Sequence, residues 1–119
     1  MAKISVEYAT KDMIVEFFGE EPKYSQRSVA VIEDGMIVSI VGIKYSGGRA
    51  LLFSNSLPYV KNNMKRYAKA AAKCMKMLWP YMKERPEIVS IADPFIEKAD
   101  TFLEHYGFAK SEGGYSWRQ

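Results

Sequence analysis

The sequence predicts a single α/β domain (an α+β architecture on a mixed sheet) that spans residues 1–119. Three observations lead to this prediction. The length, 119 residues, suits one hydrophobic core. Several short apolar runs end in turn residues, as strands do. A long segment with helical apolar spacing separates two of these runs, so the connection between them is a crossover and their strands are expected to be parallel.

The first element is a predicted strand, because "KISVEY" alternates apolar and polar residues. "TKDMIVEFFG" follows and predicts a short helix, with Thr10 as the N-cap and Gly19 at the C-terminal end. Three apolar runs come next: "SVAVIE", "MIVSIVGI" and "RALLFS". Asp34-Gly35 and the "SGG" at 46–48 join them, and glycine turns of this kind predict an antiparallel meander.

The longest predicted helix runs from near Pro58 to Glu84. Pro80 is expected to kink or end it after Trp79, because proline removes a helix hydrogen bond. Its predicted apolar stripe, which should face the sheet, comprises Met64, Tyr67, Ala68, Ala71, Met75, Leu78 and Met82. A row of lysines on a neighbouring face is expected to stay hydrated and comprises Lys61, Lys65, Lys69, Lys73 and Lys76.

The last part of the chain predicts a strand, a helix and a final strand. "EIVSIA" is the fifth strand, expected to lie parallel to "RALLFS". "DPFIEKADTFLEHYG" predicts a helix with Asp93 as the N-cap, Pro94 at the first position and Gly107 at the end. "GGYSWRQ" predicts the last short strand.

Charge is distributed unevenly along the chain. The net charge is +3, yet no acidic residue occurs between Asp34 and Glu84. This basic middle favours an anionic partner at the long helix, with a solvated lysine face as the alternative.

Membrane, metal and redox classes are disfavoured by the composition. No apolar run reaches membrane-spanning length and the N-terminal segment lacks the apolar centre of a signal peptide, so we expect a cytoplasmic protein without a membrane partner. One histidine and one cysteine exclude a multi-histidine metal site and an intramolecular disulfide, and we expect no metal.

The segment from Ala99 to Phe108 reads "ADTFLEHYGF". Together with the order of elements, it resembles the GNAT superfamily of N-acetyltransferases, whose members end in a helix of the form A-x-x-(L/F)-Y-E-x-x-G-F and one more strand. Ala99, Phe102, Glu104, Gly107 and Phe108 carry the match. The resemblance implies the GNAT-like acyl-CoA N-acyltransferase fold and transfer of an acetyl group from acetyl-coenzyme A (acetyl-CoA) to an amine of a small molecule or a protein.

The resemblance also implies where the coenzyme lies. "RALLFSNS" would splay from "EIVSIA", and the pantetheine arm would enter the gap and pair with the backbone near Phe53, Ser54 and Asn55. The pyrophosphate would lie at the N-terminus of the long helix. The residues expected around it are Lys61, Asn62, Asn63, Met64, Lys65 and Arg66.

Two family motifs differ in this chain. "KNNMKR" contains no glycine where the family has (Q/R)-x-x-G-x-(G/A), so basic side chains would have to hold the phosphates. Leu103 occupies the position of the tyrosine that protonates the leaving thiolate. Tyr106 is then the candidate acid, or alternatively a core residue. Glu33 and Asp93 are candidate bases, or alternatively solvated and capping carboxylates.

The residues leave three functions open. The first is a divergent N-acetyltransferase, active or only weakly so. The second is a catalytically silent GNAT-like interaction module, and the loss of motifs resembles degraded GNAT-like proteins found in bacteriophage virions. The third is nucleic-acid binding through the basic helix.

Overall fold

A computed structural model of the chain describes residues 3–91, 99–111 and 113–118. The strands form one mixed sheet in the order β1-β2-β3-β4-β5-β7-β6. The strands are β1 (Ile4–Tyr8), β2 (Ser25–Glu33), β3 (Met36–Ser46), β4 (Arg49–Ser56), β5 (Glu87–Ser90), β6 (Ala109–Ser111) and β7 (Gly114–Arg118). The helices are α1 (Lys11–Phe18), α2 (Pro58–Lys61), α3 (Ala68–Met82) and α4 (Ala99–His105). None of the helices in these ranges is long and apolar enough to cross a membrane.

Local sequence signals at the start of the chain produce the predicted elements. Thr10 caps α1, since its side-chain oxygen accepts a hydrogen bond from the Met13 amide (3.2 Å). Gly19 ends α1 in the left-handed conformation, with φ 78°. The antiparallel meander β2-β3-β4 is confirmed, and the Asp34-Gly35 turn has φ values of 51° and 83°.

The crossover prediction is also confirmed. β5 lies parallel to β4, with Leu51 opposite Val89 and Leu52 opposite Ser90. The described part of "EIVSIA" is a strand only to Ser90, while the helix start predicted at Asp93 falls outside the described residues.

A short strand that was not predicted, β6, follows Gly107 and pairs antiparallel with β7. Its three residues, Ala109 to Ser111, are all exposed. They have no apolar alternation, so only their pairing with β7 makes them a strand.

The prediction of one continuous helix from near Pro58 to Glu84 is wrong. The segment forms the short helix α2, a series of turns at 62–67, and then α3. The expected end at Trp79 is wrong as well, because α3 continues to Met82 with Pro80 inside its last turn. Pro80 has no amide to donate to the fourth residue before it, and only two helical residues follow it.

The break shifts the buried stripe of α3. Tyr67, Met75, Leu78 and Met82 are buried as predicted, but Ala68 is exposed, which corrects its placement. Ala70 and Cys74 take part in the buried stripe instead. The stripe packs on one face of the sheet, in a core cluster that includes alternating residues of β2.

Helix α1 packs on the opposite face of the sheet. It contacts β3. Its buried residue Ile14, like Ala30 and Ile40 of the sheet, lies outside the core cluster that contains α3. Because side chains alternate along a strand, these residues face the other way.

We expect Leu78→Ala to destabilise the protein by about 2–5 kcal/mol, because it leaves a cavity at a position with no solvent exposure. Chemical denaturation would measure the change in the free energy of unfolding. Lys76→Ala, an exposed position on the same helix, is the control and should change this free energy little. A loss at Leu78 no larger than at Lys76 would contradict the assigned packing.

Candidate functional site

A cleft lies on the β5 side of β4, beyond the last residue of β4 that pairs with β5. The two strands pair only at two positions, and β4 then continues to Ser56 without β5. Ser90 closes the base of the cleft, since its hydroxyl donates to the Leu52 carbonyl (3.1 Å). The cavity there measures about 1200 Å³, and its described lining comes from β4, the segment 60–68, α3 and α4. A volume of this size suits an extended ligand.

The edge of β4 that faces the cleft has backbone groups without a strand partner. Phe53, Ser54 and Asn55 pair with β3 on their other side. Beyond Leu52, no described strand pairs with the β5 side of β4. Backbone N–H and C=O groups require partners, so this edge can bind an extended ligand that carries amides. Of the three residues predicted to hold pantetheine, Phe53 and Ser54 line the cleft, whereas Asn55 does not.

The turns at 62–67 rest on hydrogen bonds between residues three apart. The Asn63 amide donates to Val60 (3.0 Å), and the Arg66 amide donates to Asn63 (2.9 Å). The Asn63 side chain also donates to the Tyr59 carbonyl (2.6 Å). An asparagine bonded to nearby backbone competes with a regular helix, which helps to explain the break.

Because α3 begins at Ala68, its N-terminus lies ten residues later than the predicted one at Pro58. The amides of Lys69 and Ala70, in its first turn, have no backbone acceptor among the described residues. Lys65 and Lys69 are exposed beside this turn, while Lys61 is half-buried. Lys65 and Ala70 line the cleft, while Lys69 lies beside them outside its lining.

Glu33, at the end of β2, accepts hydrogen bonds from three residues of the segment 59–67. The hydroxyls of Tyr59 (2.9 Å) and Tyr67 (2.7 Å) donate to Oε1. Arg66 donates to Oε2 through Nε (3.2 Å) and also through Nη2. Glu33 is only 8% exposed, so its interpretation as a solvated carboxylate is wrong. Arg66, predicted to hold phosphate, is instead paired with this carboxylate.

These contacts set the electrostatics of the cluster. The hydrogen bond from Arg66, followed by that from Tyr67, lowers the pKa of Glu33, while burial opposes them. Burial and the carboxylate acceptor raise the pKa values of Tyr59 and Tyr67. Glu33 is therefore held as an anion and makes a poor proton acceptor.

The other residues predicted for the site differ in their exposure and their contacts. Tyr106 is half-buried, lines the cleft and packs against Phe102, with ring centroids 4.9 Å apart. Its hydroxyl forms no hydrogen bond within the described ranges. Met64 is half-buried against the core. Asn62 is exposed, and Asp93 lies outside the described residues.

Cys74 is a free cysteine and is buried. Burial raises its pKa to about 12, so it is a neutral thiol rather than a nucleophile. Across residues 3–91, 99–111 and 113–118, no group of three or more histidine, cysteine, aspartate or glutamate residues could hold a metal ion.

Sequence reasoning missed the roles of Tyr59 and Tyr67 as ligands of Glu33. The partners are 26 and 34 residues from Glu33 in the chain, so no local pattern connects them. One signal was present: Glu33 follows Val29 and Val31 at a spacing of two, which places it on the buried face of β2. A carboxylate there needs partners.

Comparison with protein-family models gives no match for this chain. Comparison with curated protein sequences gives no match either.

We expect Glu33→Gln to remove a pH-dependent part of the stability. The pKa of Glu33 lies below its usual value of 4.5 in the folded protein, so its contribution is complete above that value and is lost as the pH falls toward the folded pKa. The measurement is the free energy of unfolding of both proteins between about pH 3 and 7. The difference between them should be largest near neutral pH and shrink on acidification.

Glu7→Gln is the matched control, since Glu7 is an exposed carboxylate on β1. A pH dependence that is the same in wild type, Glu33→Gln and Glu7→Gln would contradict the role given to Glu33.

Proposed function

We propose that this chain is a divergent GNAT-like protein that binds acetyl-CoA in the cleft between β4 and β5 and transfers the acetyl group to an amine. One observation carries the proposal: β4 pairs with β5 at only two positions and leaves an edge without a described strand partner beside the first turn of α3. The mixed sheet and the crossover support the GNAT-like fold.

Each part of acetyl-CoA has groups that can pair with a different side of the cleft. The amides of pantetheine pair with the free backbone edge at Phe53 to Asn55, as a strand would. The phosphates lie at the amides of Lys69 and Ala70, where the helix dipole favours negative charge. Lys65 and Lys69 add positive charge that replaces Arg66, which is paired with Glu33.

The reaction needs an acid for the departing thiolate. The amine nitrogen bonds to the thioester carbonyl carbon, the carbon–sulfur bond breaks, and the thiolate takes a proton from the Tyr106 hydroxyl. The amine loses its proton to water, and the Tyr106 phenolate regains a proton from solvent. Tyr106 supports this role because it lines the cleft, whereas Leu103 is apolar and buried. A backbone amide of β4 stabilises the negative charge on the carbonyl oxygen.

We expect the double substitution Lys65→Ala and Lys69→Ala to weaken acetyl-CoA binding at least about tenfold, since two charge-assisted contacts are lost. Isothermal titration calorimetry measures the dissociation constant. The control is Lys73→Ala with Lys76→Ala, which removes the same charge at exposed positions of α3 beyond its first turn. Its affinity should match that of the wild type.

Absence of binding by the wild-type protein at millimolar acetyl-CoA would overturn the proposal. If both double variants lost affinity equally, the position assigned to the coenzyme in the cleft would be wrong. Binding without transfer would make the chain a silent GNAT-like module.

We expect Tyr106→Phe to lower the rate of acetyl transfer at least about tenfold, because it removes the proton donor. The dissociation constant of acetyl-CoA should stay the same. Thiol release from acetyl-CoA measures the rate, with a lysine-containing peptide as the acceptor. Tyr24→Phe, at an exposed tyrosine before β2, is the control. An unchanged rate in Tyr106→Phe would exclude Tyr106 as the acid.

A further inference from the structure

The outward side of α3 and of the turn before it carries a basic face, which we define as Lys65, Lys69, Lys73 and Lys76. All four are exposed, as predicted for the hydrated row. At about 100° per residue, the directions of Lys69, Lys73 and Lys76 on α3 fall within an arc of roughly 60°, while Lys65 lies in the turn before the helix. Leu78, which has no solvent exposure, points about 180° away from Lys69. The lysines therefore project directly away from the sheet.

The basic face is not neutralised by neighbouring carboxylates. None of its four lysines forms an ion pair with a residue in the described ranges. α3 contains no acidic residue. Holding like charges together without partners costs free energy, so a cluster of this kind fits an anionic partner.

The opposite side of the sheet has the opposite charge. The exposed acidic residues of α1 and the loop after it are Asp12, Glu16, Glu20 and Glu21. Lys11 and Lys23 are exposed there as well, and Lys11 pairs with Glu21 (3.6 Å), so acidic residues outnumber basic ones on this segment. Because α1 and α3 cover different faces of the sheet, the α3 side is basic and the α1 side is more acidic. A polyanion would be attracted to the α3 side and repelled by the α1 side, which orients its approach.

We propose that the basic face binds the phosphate backbone of double-stranded nucleic acid without reading its sequence. An exposed helix is convex and fits a groove about 12 Å wide, such as the major groove of a duplex. Lys69 and Lys76 lie about 10 Å apart along the helix axis, a span that covers several phosphates. Lysines on this face supply charge, and no arginine, asparagine or glutamine there offers paired contacts to base edges.

Two other polyanions fit the face less well. A single strand is held by stacking on free aromatic rings. Trp79 is 47% exposed, but its ring packs edge-on against Trp117, with centroids 5.5 Å apart. An anionic membrane binds helices that insert an apolar face, and the apolar face of α3 is buried against the sheet.

The test is the fluorescence anisotropy of a labelled duplex of about 20 base pairs and mixed sequence, titrated with the protein at several salt concentrations. Four neutralised phosphates predict a slope of log K against log salt of about −3.6. Lys73→Gln with Lys76→Gln should bring the slope to about −1.8 and weaken binding at least about tenfold at low salt. These two positions lie outside the lining of the cleft, so acetyl-CoA binding should not change.

Lys23→Gln with Lys110→Gln is the matched control, since it removes the same charge from exposed positions on other elements. This control should keep the wild-type slope. The proposal is overturned if the wild type does not bind the duplex at low salt, or if both double variants lose affinity equally. Tighter binding to a single strand of the same length, or to vesicles with anionic lipid, also overturns it. Failure of acetyl-CoA binding leaves this result unaffected, so the two proposals can fail separately.

Discussion

The hydrogen bonds accepted by Glu33 determine the shape of the molecule around the cleft. They join the end of β2 to Tyr59, which precedes the turns at 62–67, and to Arg66 and Tyr67, which are the last two residues of those turns. In a continuous helix, Arg66 and Tyr67 would follow the regular helical path. Here their hydrogen bonds to Glu33 hold the segment against the end of β2. As a result, α3 begins at Ala68, and its first turn faces the side of the cleft.

A buried carboxylate is tolerated only when its charge and its lone pairs are satisfied. Here two phenol hydroxyls and one guanidinium satisfy Glu33. The positive charge of Arg66 is paired with the Glu33 carboxylate. The exposed ammonium groups of Lys65 and Lys69 remain for a ligand. A segment without glycine can thus still present amides and cations together, because hydrogen bonds to a neighbouring strand, rather than glycine, shape the turns.

Helix α3 combines three properties at different positions of its surface. Its inward stripe packs on the sheet, its first-turn amides face the cleft, and its outward lysines form the basic face. The two proposed binding sites therefore share one rigid element, yet Lys73 and Lys76 do not line the cleft. This separation follows from the 3.6-residue period, which directs residues of one helix to different sides. Lys65 and Lys69 belong to both proposed sites, so substitutions at Lys73 and Lys76 are the ones that test the basic face alone.

Local signals determined most of the fold. Alternation predicted the meander, Thr10 and Gly19 predicted the ends of α1, and the long connection predicted that β4 and β5 are parallel. Tertiary structure alone decided the break at 62–67, the exposure of Ala68 and the pairing of Arg66 with Glu33, because these depend on contacts between residues more than 20 positions apart. Sequence periodicity describes one element at a time, whereas a buried charge selects its partners from whichever elements the fold brings beside it.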